Sequence, residues 1–184
     1  AFITELRTPL TERKKLLTAA VAWWTRARVN DKALKAFDFI NIMAYDATGR
    51  WDLTNPGQHS TYAYAVQHLN YWHGQRGLEK KKLVLGVPFY GYGFGTLFNS
   101  NASLAQMSWQ TVQQNYSDWM NVDEIPFPNN GGTFYYNGKT TIKAKTELAV
   151  KDGGGIMIWQ LLYDSQNDHS LLKIIDKTHK EATK

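Results

Sequence analysis

The chain reads as an α/β protein built on a parallel sheet of the (β/α)-barrel kind, and three apolar runs carry that reading. In Asp38-Phe39-Ile40-Asn41-Ile42-Met43-Ala44-Tyr45-Asp46, the residues Phe39, Ile40, Ile42 and Met43 leave no polar face, which suits a parallel strand covered on both sides. Lys82-Leu83-Val84-Leu85-Gly86-Val87-Pro88-Phe89-Tyr90 repeats the plan and ends in an aromatic before glycine. Gly154-Gly155-Ile156-Met157-Ile158-Trp159-Gln160 ends in a tryptophan and an amide. All three deliver polar or aromatic groups at the C-terminal end of a strand, the edge from which a (β/α) barrel builds its active face.

The elements follow in order. Phe2, Ile3, Leu6 and Leu10 recur at helical spacing before Thr11 and open the chain with a helix. A strand over residues 16–24 comes next and ends in Trp23 and Trp24, of which at least one is expected in the core. A short helical turn over Ala33 to Ala36 precedes the Asp38 strand. Ser60 or Thr61 caps a helix over Tyr62 to Gln75, with Ala65, Val66, Leu69 and Trp72 as its apolar stripe. Ser108 caps a helix running to Met120, and Thr140 or Thr141 caps one running to Val150, with Ile142, Leu148 and Val150 inward. A last helix after Ser170 uses Leu171, Leu172, Ile174 and Ile175. The order is one helix, then four strand and helix units.

Regularity is lowest between Tyr90 and Gly153. There Asn129-Asn130-Gly131-Gly132 and Asn137-Gly138 bracket Thr133-Phe134-Tyr135-Tyr136, which predicts a turn with a short strand or hairpin. A loop elaboration over about 92–138 is expected on the strand-tip side. No internal repeat or linker divides the 184 residues, so one unit over 1–184 is expected.

Composition narrows the function. A hydrophobic content of 43% is enough for a sizeable core. The net charge of +5 is spread along the chain, and its one tight run, Lys80-Lys81-Lys82, reads as a solvated loop, which sets nucleic acid aside. The absence of cysteine excludes disulfides and thiolate metal sites. No run is long and apolar enough to span a membrane. His68 and His73 lie five apart, off a common helix face, and His59 in Pro56-Gly57-Gln58-His59-Ser60 has no second histidine at ligand spacing. No metal or cofactor is therefore expected, and His59 is assigned a structural role in its loop. The opening Ala1-Phe2-Ile3-Thr4-Glu5-Leu6-Arg7 has neither an initiator methionine nor a signal-peptide pattern and reads as mid-protein sequence.

Met43-Ala44-Tyr45-Asp46 after a buried strand, Gly86-Val87-Pro88-Phe89-Tyr90-Gly91, and Gly155-Ile156-Met157-Ile158-Trp159 together resemble the sixth, seventh and eighth strands of family 18 glycoside hydrolases, the chitinases and their relatives. The Leu6-Arg7 helix and Leu17-Thr18-Ala19-Ala20-Val21 resemble the fourth helix and fifth strand, so the resemblance covers nearly the whole chain. It implies strands five to eight of a (β/α)8 barrel. It also implies hydrolysis of β-1,4-linked N-acetylglucosamine polymers or oligomers, with the substrate's own acetamido group as nucleophile. An endo-acting N-acetylglucosaminidase on glycans is the nearest rival. By the same resemblance, Tyr45 hydrogen-bonds the acetamido carbonyl and Asp46 binds sugar hydroxyls. Met43 and Tyr90 line the subsite, and Trp159 forms its floor. The resemblance implies a secreted or periplasmic setting. From the residues alone, Tyr45 as a rim residue, Asp46 as a turn cap, and Trp159 and Met43 as core packing stay open.

Three departures from the family pattern matter. No segment matches Asp-x-x-Asp-x-Asp-x-Glu, the fourth-strand motif that carries the proton donor, so that glutamate is expected upstream and the 184 residues alone are expected to be inactive. Tyr92 stands where many chitinases have arginine, and Gln160 where many have glutamate. Two other classes stay open. One is a noncatalytic oligosaccharide-binding relative. The other is a half-barrel that associates with another chain, because an open sheet exposes edges and apolar surface.

Overall fold

The computed structural model describes residues 2–184. Helix α1 (Phe2–Glu12) leads into β1 (Thr18–Ala22), α2 (Asp31–Ala36) into β2 (Phe39–Met43), and α3 (Tyr62–Asn70) into β3 (Leu83–Pro88). An inserted segment follows, made of β4 (Tyr90–Phe94), α4 (Thr96–Ser100), α5 (Ala102–Ala105), β5 (Gln106–Ser108), α6 (Trp109–Asn115), β6 (Glu124–Phe127) and β7 (Gly132–Tyr135). The chain then resumes strand and helix alternation with α7 (Lys139–Asp152), β8 (Gly155–Trp159) and α8 (Leu171–Ala182).

The strands form two sheets. One is parallel, in the order β1-β2-β3-β8, and is an arc of a (β/α) barrel; the other is antiparallel, in the order β5-β4-β7-β6. Apolar residues on both faces of the arc explain its parallel pairing. Ile40, Ile42, Leu83 and Leu85 are fully buried with Leu34, Leu69 and Trp72, and each such side chain contributes about 1.5–3 kcal/mol of burial free energy. A second core of Val87, Phe98, Trp109, Phe134, Ile142 and Leu171 joins the inserted sheet to α7 and α8. The Asp38 carboxylate ties the start of the arc together, accepting from Arg7 at 2.6 Å and from the Leu17 N–H at 2.7 Å. The Arg7 hydrogen bond holds that carboxyl below its usual pKa.

Capping follows the sequence at several helices. Thr61, Ser108 and Ser170 accept the backbone N–H groups of Tyr64, Thr111 and Lys173. In the β6–β7 hairpin, Asn129 and Asn130 both have positive φ, 57° and 55°, and the Gly131 N–H closes the turn on the Pro128 carbonyl at 3.0 Å. That is the geometry of a type I′ turn, which asparagine tolerates.

Several expectations change. The first strand is shorter than residues 16–24, because the chain turns into a 3-10 segment at Trp23–Thr25; Trp24 is exposed and Trp23 half-buried. The helix after Ser108 stops at Asn115 rather than Met120. Helix α7 starts at Lys139, so Gly138, not Thr140 or Thr141, is its N-cap residue. The Asp123 carboxylate serves that helix end instead, accepting from the Gly138 N–H and from Thr141 Oγ1. The helix over Tyr62 to Gln75 changes to a π-helical turn after Asn70. Leu172 faces solvent. Tyr90 does not end a barrel strand: Phe89 breaks the run, and Tyr90 opens β4 of the antiparallel sheet.

Candidate active site

The tip of β2 gathers the predicted residues. Ala44 and Tyr45 are buried, and Asp46 turns the chain with φ 59°, a left-handed conformation that aspartate adopts more readily than most residues. The Tyr45 ring needs a gap in the neighbouring strand. A Cβ at Gly86 would lie 2.4 Å from the Ile42 carbonyl oxygen and 3.0 Å from Cε1 of Tyr45, so glycine in β3 leaves the ring its space. Burial, with the charge of Asp46 beside it, pushes the Tyr45 phenol pKa up. The hydroxyl's one partner among the described residues is the Met157 thioether, at 3.9 Å, a weak acceptor.

Asp46 is held from the inserted sheet. The Tyr90 hydroxyl donates to Asp46 Oδ1 at 2.6 Å and the Tyr92 hydroxyl donates to the same oxygen at 3.1 Å. Both contacts fall on Oδ1, which leaves Oδ2 without a protein donor among the described residues. Burial opposes ionisation of Asp46, but the hydrogen bonds donated by the two phenols favour the charged form, and its carboxyl is held below the usual range.

His59 is wholly buried against both walls. Its Nδ1 accepts the Asp46 N–H at 3.3 Å, and its Nε2 lies 3.3 Å from the Tyr90 carbonyl. An N–H can only donate and a carbonyl can only accept, so these partners select the neutral tautomer with the proton on Nε2. Burial pushes the His59 pKa down, in agreement with a neutral ring.

Met43, Tyr45 and Tyr90 thus come together in one cluster with Tyr92, Phe94 and Met157, and Asp46 is bonded to two of its rings. Met43 is half-buried against these aromatics. Trp159 is not in that buried cluster. It ends β8 opposite Pro88, 54% exposed, and its peptide bond to Gln160 is cis. Among the described residues, no backbone N–H donates to the Asp46 carboxylate; it accepts hydrogen bonds from the two phenols.

Sequence reasoning missed three contributors. Tyr92 was noted only as a departure, yet it shares Asp46 with Tyr90. His59 was placed in its loop and not against Asp46. Trp51, 62% exposed, stands edge-on to Tyr92 with ring centroids 5.5 Å apart and covers Gly49. A glycine and an indole shortly after the Asp46 tip are the signal that could have found it. Among the described residues, no three histidine, aspartate or glutamate side chains gather as a metal-binding group.

This geometry has known relatives. The family model for glycosyl hydrolases family 18 matches residues 1–164. The chain belongs to that family. A chitinase from the chitin utilization locus of Flavobacterium johnsoniae is 42% identical and superposes with a TM-score of 0.86 over 98% of this chain and 55% of its own. A Bacteroides thetaiotaomicron chitinase is 30% identical, with a TM-score of 0.76, over 92% of this chain and 53% of its own. The human oviduct-specific glycoprotein is 25% identical over 162 residues, 71% of this chain and 23% of its own length. This family member spans about half the length of the solved relatives it matches. The four-stranded arc is accordingly part of the family's TIM barrel.

Proposed function

We propose that these residues form the substrate-positioning side of a chitinase-type site for β-1,4-linked N-acetylglucosamine polymers or oligomers, working by substrate-assisted, retaining hydrolysis. The observation that carries this is the Tyr45–Asp46 pair. Tyr45 keeps its proton because it is buried, and its hydroxyl meets only the weak thioether acceptor of Met157 among the described residues. An acetamido carbonyl that reaches this hydroxyl accepts a stronger hydrogen bond from it and is held beneath the anomeric carbon. As the glycosidic bond breaks, the carbonyl oxygen bonds to that carbon and the leaving oxygen takes a proton from a general acid. Fixing the reacting pair in this way contributes several kcal/mol of the order available from orientation. Asp46, with Oδ1 held by two phenols, offers Oδ2 to a sugar hydroxyl. Met43 and Tyr90 back this subsite, and the exposed faces of Trp159 and Trp51 suit stacking against sugar rings.

The sequence contains no Asp-x-x-Asp-x-Asp-x-Glu segment to supply the acid. The 184 residues by themselves are therefore expected to bind the oligosaccharide without cleaving it. The experiment is hydrolysis of a fluorogenic N,N′-diacetylchitobioside by this chain and by an upstream-extended gene product. Activity in the extended form only, reduced about 100-fold or more by Tyr45→Phe, supports the reading; activity of the short chain sinks the claim that the acid is supplied from outside it. Silence in both, with oligosaccharide still bound, favours a noncatalytic binding protein.

A further inference from the structure

The strand tip hangs on a brace whose far end is a lysine that the proposed reaction does not touch. Residues 58–60, just before α3, hold the tip at three points. Ser60 Oγ donates to the Ala44 carbonyl at 2.7 Å, His59 Nδ1 accepts the Asp46 N–H, and the His59 carbonyl accepts the Ala47 N–H at 3.0 Å. Ser60 is in turn held by Lys145 of α7. The Lys145 Nζ donates to the Ser60 carbonyl, to Ser60 Oγ and to Asn137 Oδ1, each at 2.7 Å, and Asn137 Nδ2 donates to the Ser60 carbonyl at 2.8 Å.

Lys145 is wholly buried, and none of its direct partners is a carboxylate. A buried ammonium held by neutral oxygens alone is costly. Burial pushes its pKa down to about 7 against the pull of the Asp123 carboxylate. The other titratable groups that feel its charge are His59 and His68, and burial lowers the pKa of both. An ammonium has three N–H bonds, and three acceptors face it, so the node is complete only while Lys145 is protonated. The arrangement also fixes direction. Ser60 has a single hydroxyl proton, and because Lys145 supplies the proton between Nζ and Oγ, that hydroxyl is left to donate to Ala44, the residue before Tyr45 and Asp46.

We propose that Lys145 is a positioning residue for Tyr45 and Asp46, acting through Ser60 and the 58–60 loop. The consequence for sugar binding rests on the function proposed above; the brace itself does not. Loss of the Lys145 proton removes one of three donors, so the brace slackens as pH rises through the lysine's own titration.

Amide hydrogen exchange, followed by NMR on the whole chain, tests this in the native protein, Lys145→Met and Ser60→Ala. Both substitutions are expected to speed exchange at Asp46 and Ala47 by about 10-fold or more relative to Leu85 in β3. In the native chain, Asp46 protection is expected to step down together with the Lys145 side-chain resonance between about pH 6 and about pH 9, and Lys145→Met to lack that step. Unchanged exchange at Asp46 and Ala47 in a folded variant, or a Lys145 titration that leaves Asp46 unmoved, overturns the proposal. Should Lys145→Met fail to fold, Ser60→Ala and the native titration decide. Calorimetry with N-acetylchitotetraose adds the functional arm. About 10-fold weaker binding in the variants supports a role in the site, and unchanged binding despite faster exchange overturns it. A native chain that binds no tetramer defeats the sugar reading, while the exchange data still judge the brace.

Discussion

The parallel arc and the inserted antiparallel sheet contribute unequal things to one site. The arc supplies Tyr45 and Asp46 at the tip of β2, where regular strand ends and apolar backing set the backbone. The inserted sheet supplies the two phenols that aim the Asp46 carboxylate. Between them, His59 reaches both sides, taking the Asp46 N–H and facing the Tyr90 carbonyl. A strand tip is thus only half of this site; the rest is orientation delivered from the inserted sheet, which packs on a second core that Val87 of the arc also enters.

Truncation of each core is the strongest way to break that division. Phe134 is fully buried in the inserted sheet and Leu85 in the arc. Phe134→Ala is expected to cost about 3–5 kcal/mol and Leu85→Ala about 2–5 kcal/mol. Chemical denaturation followed by tryptophan fluorescence measures both. The two regions share the second core, through Val87 of β3 and Phe134 of β7, so one coincident transition is expected for each variant. A separate early transition in Phe134→Ala would show that the insert melts alone.

The same contrast explains what the sequence made legible. Ile40, Ile42, Leu83 and Leu85 form uninterrupted apolar runs, and periodicity finds such strands. β4 is Tyr90-Gly91-Tyr92-Gly93-Phe94, whose alternating glycines read as loop. Those glycines are required by packing: a Cβ at Gly91 would lie 2.1 Å from the Tyr135 carbonyl oxygen, and one at Gly93 would lie 2.0 Å from the Phe98 ring. Tyr92 therefore falls in the segment that reads as loop, whereas Tyr90 reads as the end of the strand before it. Tyr45 and Asp46 were visible because strand tips are where this architecture places chemistry. His59 was not, because its contacts with Asp46 and Tyr90 span 13 and 31 residues of sequence. Lys145 escaped for a related reason, since helical patterning puts lysine outside.

Acid separates the two regions next. His68 on α3 is buried against Trp23 and Tyr64, with neither ring nitrogen hydrogen-bonded. Burial lowers its pKa from 6.5 to about 4. The unfolded chain binds the proton more readily, so stability from this group is present above the unfolded pKa of 6.5 and is lost as pH falls from there to about 4. The loss amounts to about 3 kcal/mol, and His59 acts in the same direction. Unfolding free energies at the two ends of that window check the prediction, and His68→Phe is expected to flatten the slope. Amide exchange should rise first around α3 and the β2 tip, not in β6 and β7. Uniform loosening of both sheets would mean that acid acts elsewhere.

The smallest expected effect probes the join itself. Tyr92 bonds Asp46 Oδ1 at 3.1 Å, against 2.6 Å for Tyr90, and is the more peripheral of the two phenols. Tyr92→Phe keeps the ring that meets Trp51 and His59 edge-on and removes only the longer hydrogen bond. A hydrogen bond to a charged acceptor is worth about 1.5–3 kcal/mol, and the second donor on one oxygen belongs at the low end of that range. The Asp46 carboxyl should therefore titrate higher in the variant, read directly from its 13C resonance, with the thermal midpoint lowered by a few degrees at most. Tyr90→Phe should raise it further, because the shorter bond is lost. Equal shifts from both substitutions would mean that the two phenols share Asp46 evenly, and no shift from either would move the orienting role from the inserted sheet to His59 alone.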